Sequence, residues 1–185
     1  EEIKDVLDEV PRSVNMLRSW DLAGPDEPWM VYLIAVLHRT CWETAREICT
    51  RYNFNKRQVD KLAAALGGWQ SAVEGLNDPG DYALSELARR VMFVPRECYP
   101  LLLAYFTTND ARQRFRQVLN AIRCDKPTIN GSDIRALGFK PGPAFKKALD
   151  ALWQARLDGV VRTKEEELSY VKEYLAGCEG EIDSV

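Results

Sequence analysis

Two prolines one residue apart, in Lys140-Pro141-Gly142-Pro143, set the strictest limit on what this chain can fold into. Each fixes its own φ and lacks an amide donor, so neither a helix nor an interior strand can run through the segment. Both flanks carry helical periodicity instead. Upstream, Gly131-Ser132 or Asp133 can open a short helix with Ile134 and Leu137 inward, and Gly138 suits the left-handed position that ends it. Downstream, Pro143 fits the first position of a new helix, with Phe145, Leu149, Leu152, Trp153 and Leu157 on one face and a stop at Gly159. The stretch from Asn130 to Gly159 therefore reads as short helix, rigid turn and longer helix.

The amides near Gly142 and in the first turn after Pro143 have no partner within the helix and sit at its positive end, which favours an anion. Lys140, Lys146 and Lys147 surround that spot, and a phosphate is the natural ligand; a tight turn with solvated lysines is the other reading. From Ala111 to Lys147 there are nine basic residues, among them Arg112, Arg116 and Arg135, against two acidic ones. Residues 1–30 and 158–185 each carry −5, so the overall charge of −3 conceals a basic middle. A polyanion would meet that middle, whereas a merely solvated arginine face would meet nothing.

The rest of the chain is helical in pattern. Residues 3–20 have helical apolar spacing with Pro11 kinking or restarting the helix, and look like packing surface for whatever precedes them. Pro28 opens a segment so apolar that it should be buried. Thr40 and Asn55 can cap the next two helices, the second ending at Gly67-Gly68 before a short helix from Trp69 to Leu76. Two more helices fall within 81–94 and 95–106, Asn109 caps an arginine-rich one, and Thr163 with Glu166 forms a capping box for the last. His38 reads as a capping or satisfied histidine, and Arg51, Lys56, Arg57 and Lys61 could extend a phosphate-contacting surface. Strand signals are nearly absent. The expected fold is all-α: about eight to ten packed antiparallel helices with a C-terminal helix-turn-helix on the Lys-Pro-Gly-Pro turn. The expected division is a helical body over 1–126, a tail motif over 127–177 and a frayed end over 178–185.

With 185 residues, 46% of them hydrophobic, the chain can bury a proper core. Five widely spaced cysteines and one histidine support neither a disulfide framework nor a zinc site, which suggests a reducing cytoplasm. No apolar run is long enough to span a membrane, and the first residues lack a signal peptide's basic start and apolar core. The missing initiator Met suggests a domain cut from something longer.

The pattern Gly131-x-Asp133-Ile134-x-x-Leu137-Gly138-Phe139-x-Pro141-Gly142-Pro143, then an apolar helix ending Arg156-Leu157-Asp158-Gly159 and Thr163-Lys164-Glu165-Glu166-Glu167-Leu168, resembles the C-terminal part of bacterial tRNA nucleotidyltransferases of the poly(A) polymerase family. The resemblance runs from Thr128 to Leu175, and Pro28-Trp29-Met30-Val31-Tyr32-Leu33 is similar, more loosely, to the family's middle region. A shorter likeness, to helix-hairpin-helix DNA-binding modules, overlaps Leu137 to Pro143.

The family resemblance implies a helical tail gripping the acceptor and T-arm region of a tRNA, joined to an N-terminal catalytic head that uses magnesium with ATP or CTP. That head holds two metal ions on closely spaced strand carboxylates. No Asp-x-Asp occurs here, so the chain is expected to bind without catalysing, and to need no cofactor itself. The phosphate-binding residues expected are Arg112, Arg116, Arg135, Lys140, Gly142, Lys146 and Lys147, with tRNA and the catalytic head as partners. The alternatives are a DNA-binding module and a structural helical domain.

Overall fold

The computed structural model describes residues 3–22, 24–78, 80–139 and 142–182. The protein is all-α. Among the described residues there are ten α-helices, one 3-10 turn and no strand: α1 (Ile3–Ser19), α2 (Pro28–Leu37), α3 (Trp42–Arg51), α4 (Lys56–Asn77), α5 (Leu84–Met92), the 3-10 turn (Arg96–Cys98), α6 (Tyr99–Tyr105), α7 (Asn109–Cys124), α8 (Gly131–Ala136), α9 (Pro143–Leu157) and α10 (Lys164–Ile182). They form two compact units, one of residues 1–82 and 89–117 and one of residues 83–88 and 118–185, the divisions falling inside α5 and α7.

In the first unit α1 packs on α6 and α2, and α4 packs on α2, α3 and α6. Leu17, Met30, Ile34, Leu62, Leu101, Leu102 and Phe115 are fully buried there. Phe115 meets the rings of Tyr99 and Phe106 edge-on, at 5.5 and 5.4 Å between centroids. Val6, Val10 and Leu17 on the apolar face of α1 are buried, while Ile3 on the same face remains exposed. Pro11 neither stops nor restarts α1, which is continuous to Ser19.

Several local expectations are corrected. α2 is not buried all round, since Trp29, Tyr32 and Val36 remain exposed. The Thr40 hydroxyl donates back to Leu37 O at 2.7 Å, and Cys41 takes the N-cap position of α3. Asn55 does cap α4, in a capping box with Gln58, but α4 runs 22 residues straight through Gly67-Gly68. Gly68 is there for space: a Cβ on it would lie 2.7 Å from Val94 Cγ1. Thr108, not Asn109, caps α7, its Oγ1 accepting from Ala111 N at 3.1 Å. His38 is satisfied on both sides: a neutral ring protonated on Nδ1 donates to Ala35 O at 2.8 Å and accepts the Tyr105 hydroxyl on Nε2 at 2.9 Å.

In the second unit α8 and α9 each pack on α10. The core comprises Ile129, Ile134, Ala148, Leu152, Ala155, Val161, Val171 and Leu175, with Phe139, Phe145, Leu149 and Tyr174 packed against it. α10 continues past Gly177 to Ile182, beyond the point where fraying was expected.

Candidate nucleic-acid interface

The short helix α8 is opened by Asn130, whose Oδ1 accepts from Ser132 N at 2.8 Å while Asp133 Oδ2 accepts from Asn130 N at 2.8 Å. That reciprocal box outcompetes the Ser132 and Asp133 starts that the sequence also allowed. The helix ends at Gly138, which has the left-handed φ of +95° that a Cβ would disfavour. Lys140 and Pro141 lie outside the described residues. Gly142 is the N-cap of α9, and Pro143 follows at the head of the helix.

Among the described residues no side chain caps the start of α9, and Phe145 N donates to Gly142 O at 3.0 Å. Gly142 is extended, with φ −175°, and has nothing within 4 Å of where a Cβ would be. Lys146 and Lys147 on α9 and Arg135 on α8 are exposed, and none has a polar partner among the described residues.

The rest of this stretch is committed to holding the unit together. Glu167 is wholly buried, and its carboxylate accepts from Thr128 N at 2.9 Å, Thr128 Oγ1 at 2.7 Å, Ile129 N at 3.1 Å and the Arg156 guanidinium. Burial alone would raise the Glu167 carboxyl, but its partners, Thr128 and Arg156 foremost, outweigh that and hold it below the usual carboxylate range. Asp158 receives Ser85 N at 2.9 Å and Ser85 Oγ at 2.7 Å, which fastens the start of α5. Gly159 follows in the left-handed region at φ +71°. Thr163 and Glu166 form the expected capping box, Glu166 N donating to Thr163 Oγ1 at 3.2 Å and Thr163 N to Glu166 Oε2 at 3.1 Å. Arg156-Leu157-Asp158-Gly159 is thus a folding motif.

Glu167 and Asp158 were not foreseen from the sequence. A signal for Glu167 exists: it stands four and eight residues before Val171 and Leu175, on the inward stripe of α10, where an unpaired carboxylate would be intolerable. Nothing comparable marks Asp158, whose partner lies 73 residues away.

Arg112 and Arg116 lie in the first unit, one helical turn apart on α7, and both make contacts within it. Arg112 is half-buried, donating to Asn109 Oδ1 at 3.3 Å and to Phe106 O at 3.5 Å. Arg114, between them, donates to the Asp78 carbonyl. Arg116 is exposed and lies over the Trp20 ring, 5.7 Å from its centroid. This face is therefore less free than its spacing suggests. Lys61 is turned inward, with Nζ 2.5 Å from Glu97 Oε1 and 3.1 Å from Glu27 Oε2, and so drops out of any phosphate surface.

Among the described residues no three His, Cys, Asp or Glu side chains gather to hold a metal ion. The residues present do not fit the two-metal centre that nucleotidyl transfer implies. Among them, too, no helix is long and apolar enough to cross a membrane.

The chain is similar to an A-adding tRNA nucleotidyltransferase of Geobacter sulfurreducens, 27% identical over 169 residues that make up 88% of this chain and 19% of that protein. It thus spans about a fifth of the length of the curated relative it matches. No family model matches the chain. No solved structure matches it.

Proposed function

We propose that the chain is a tRNA-binding body and tail of a nucleotidyltransferase of the CCA- or A-adding kind, which holds acceptor and T-arm phosphates while a separate catalytic head adds nucleotides. The observation that carries this reading is a contrast within one stretch. Between Thr128 and Glu167 most of the described motif residues that resemble the family are engaged in caps, left-handed turns, core packing or the buried carboxylate. Gly142 starts α9 with no side-chain cap, and Lys146 and Lys147 have no polar partner among the described residues. They combine a helix start with no side-chain cap and an extended glycine in open space with two cations that have no polar partner among the described residues, which suits a phosphate. Arg135 and Lys140 belong to the same basic turn in sequence. Duplex RNA is read through phosphates and shape, so contacts of this kind suffice for tRNA.

The test is binding of tRNA and of duplex DNA by the full chain, beside Lys146→Ala with Lys147→Ala. The double variant should lose about 1 to 3 kcal/mol of tRNA affinity, the scale of lost charge-assisted hydrogen bonds, at an unchanged melting temperature. Affinity should also fall steeply with salt. An isotherm matching the parent's at low salt would remove the turn as a site, and equal affinity for duplex DNA would favour the helix-hairpin-helix reading. On this proposal the chain alone adds no nucleotide to tRNA with magnesium and ATP or CTP, and measurable addition would overturn that.

A further inference from the structure

The first unit carries an aromatic side chain that the tail reading leaves unused. Phe93 is 70% exposed and its neighbour Met92 55%, yet their backbone is firmly seated. Val94 is 4% exposed, and the Phe93 carbonyl carbon and Cβ lie 3.5 and 3.6 Å from the position of a Cβ on Gly68, so α4 and this turn are in close contact. The ring is thus held out from an anchored backbone. It lines an open groove of about 670 Å³ together with Met92, Pro95, Lys56, Arg57 and Asp60. Such a volume is on the scale of small-ligand sites, roughly 300 to 1,000 Å³.

The two cations are placed where helix stability would not put them. Lys56 and Arg57 are the first two residues of α4, at the positive end of a 22-residue helix, where acidic residues are favoured. Of the amides at that end, the Asn55–Gln58 box serves Asn55 N and Gln58 N, and the Lys56 and Arg57 side chains add their charge to the helix's own attraction for an anion. Lys56 has no polar partner among the described residues, and Arg57 makes a solvent-exposed approach to Asp26 at 3.6 Å and stands within the field of Glu27. An exposed pair of that kind exchanges readily for a stronger anion. A groove that held an apolar peptide would gain little from this charge, whereas a base and its phosphate need an apolar ring and cations side by side.

We propose that this groove binds one unpaired nucleotide of an RNA strand, with its base stacked on Phe93 and its phosphate between Lys56 and Arg57. The site lies wholly within the first unit and stands whether or not the turn before α9 binds tRNA. It is tested with fluorescein-labelled hexa-adenylate and hexa-cytidylate RNA, against a blunt hairpin duplex, using the full chain. The parent should bind the single strands in preference to the duplex. Phe93→Ala should weaken them about tenfold, as loss of one stacked base does. Phe93→Leu should not restore binding, and Phe93→Trp should, with tryptophan emission quenched on addition of RNA. Lys56→Gln with Arg57→Gln should weaken binding and flatten its dependence on salt. No single-strand binding by the parent at low salt, or Phe93→Ala binding as the parent does, overturns the site. Full rescue by Phe93→Leu also overturns it, in favour of an apolar face for a protein partner. Should Phe93→Ala lower the melting temperature, the presence or absence of quenching in Phe93→Trp decides.

Discussion

Thr128 and Glu167, 39 residues apart, are joined twice, the amide and the hydroxyl of Thr128 both donating to Oε2 of the buried carboxylate, at 2.9 and 2.7 Å. The Arg156 guanidinium donates to Oε1 of the same carboxylate, so one charge closes the entry to α8, the end of α9 and the start of α10.

Glu167→Gln leaves the largely buried Arg156 without its counter-charge and puts an amide against backbone donors. Stability of the chain should fall by about 3 to 5 kcal/mol, the usual cost of breaking a buried pair from one side. Chemical denaturation of the variant beside Thr128→Ala checks this; the threonine variant should lose only about 1 to 2 kcal/mol, because the carboxylate keeps its other donors.

Gly138, just before the Pro-Gly-Pro turn, and Gly142, at its centre, should respond differently to alanine. Gly138, at φ +95°, should lose about 1 to 2 kcal/mol, because a Cβ is disfavoured in the left-handed region. Gly142, at φ −175° with open space around it, should change stability by less than about 0.5 kcal/mol. Melting temperatures of the two variants suffice, and a marked loss at Gly142 would mean that it serves the fold.

Arg112 and Arg116 should each contribute modestly to stability through different contacts. Arg112→Glu removes the donor to the Phe106 carbonyl and should lower stability by about 1 kcal/mol, whereas Arg116→Gln loses a cation–π contact with Trp20 of about 0.5 to 1 kcal/mol. A tRNA-binding loss in either variant counts as a contact only when the melting temperature is shown to be near the parent's.

Stability should decline in two stages as pH falls. Burial lowers the His38 imidazole below its ordinary 6.5, so the unfolded chain takes up that proton first and stability drops as pH falls from about neutral toward the folded value. Glu167 and Glu27 are held low in the fold, the latter by the Gln58 hydrogen bond and then by Lys61, so their contribution is present above 4.5 and is lost below it. Lys61 is opposed by burial but raised overall by Glu97 and Glu27, and its contribution fades only above 10.5. Thermal midpoints across pH for the parent and His38→Gln should show the upper stage in the parent only.

What was legible in the sequence followed from local chemistry. Gly138, Pro143 and the Thr163–Glu166 box each solve a problem of the residues beside them, so spacing alone located them. Gly67-Gly68 misled because a helix-ending residue type was serving a packing need set by Val94, 26 residues on. The arginines of α7 were visible as charge, but their partners Phe106 O and Trp20 were not, since a distant carbonyl or ring leaves no mark on the periodicity. The same blindness hid the use of Asp158 by Ser85.

The Thr128–Glu167 junction also bears on the order in which the ribosome can hand over a finished tail. The residues that frame the basic turn are made first, but the carboxylate that fastens them comes 39 positions later. At about 5 to 20 residues per second, that is a wait of a few seconds. Until Glu167 has left the exit tunnel, α8 and the first half of α9 are short helices without the α10 surface on which both rest, and helices of that length are marginal alone. A nascent chain halted before Glu167 would therefore carry the lysines without the rigid frame that aims them.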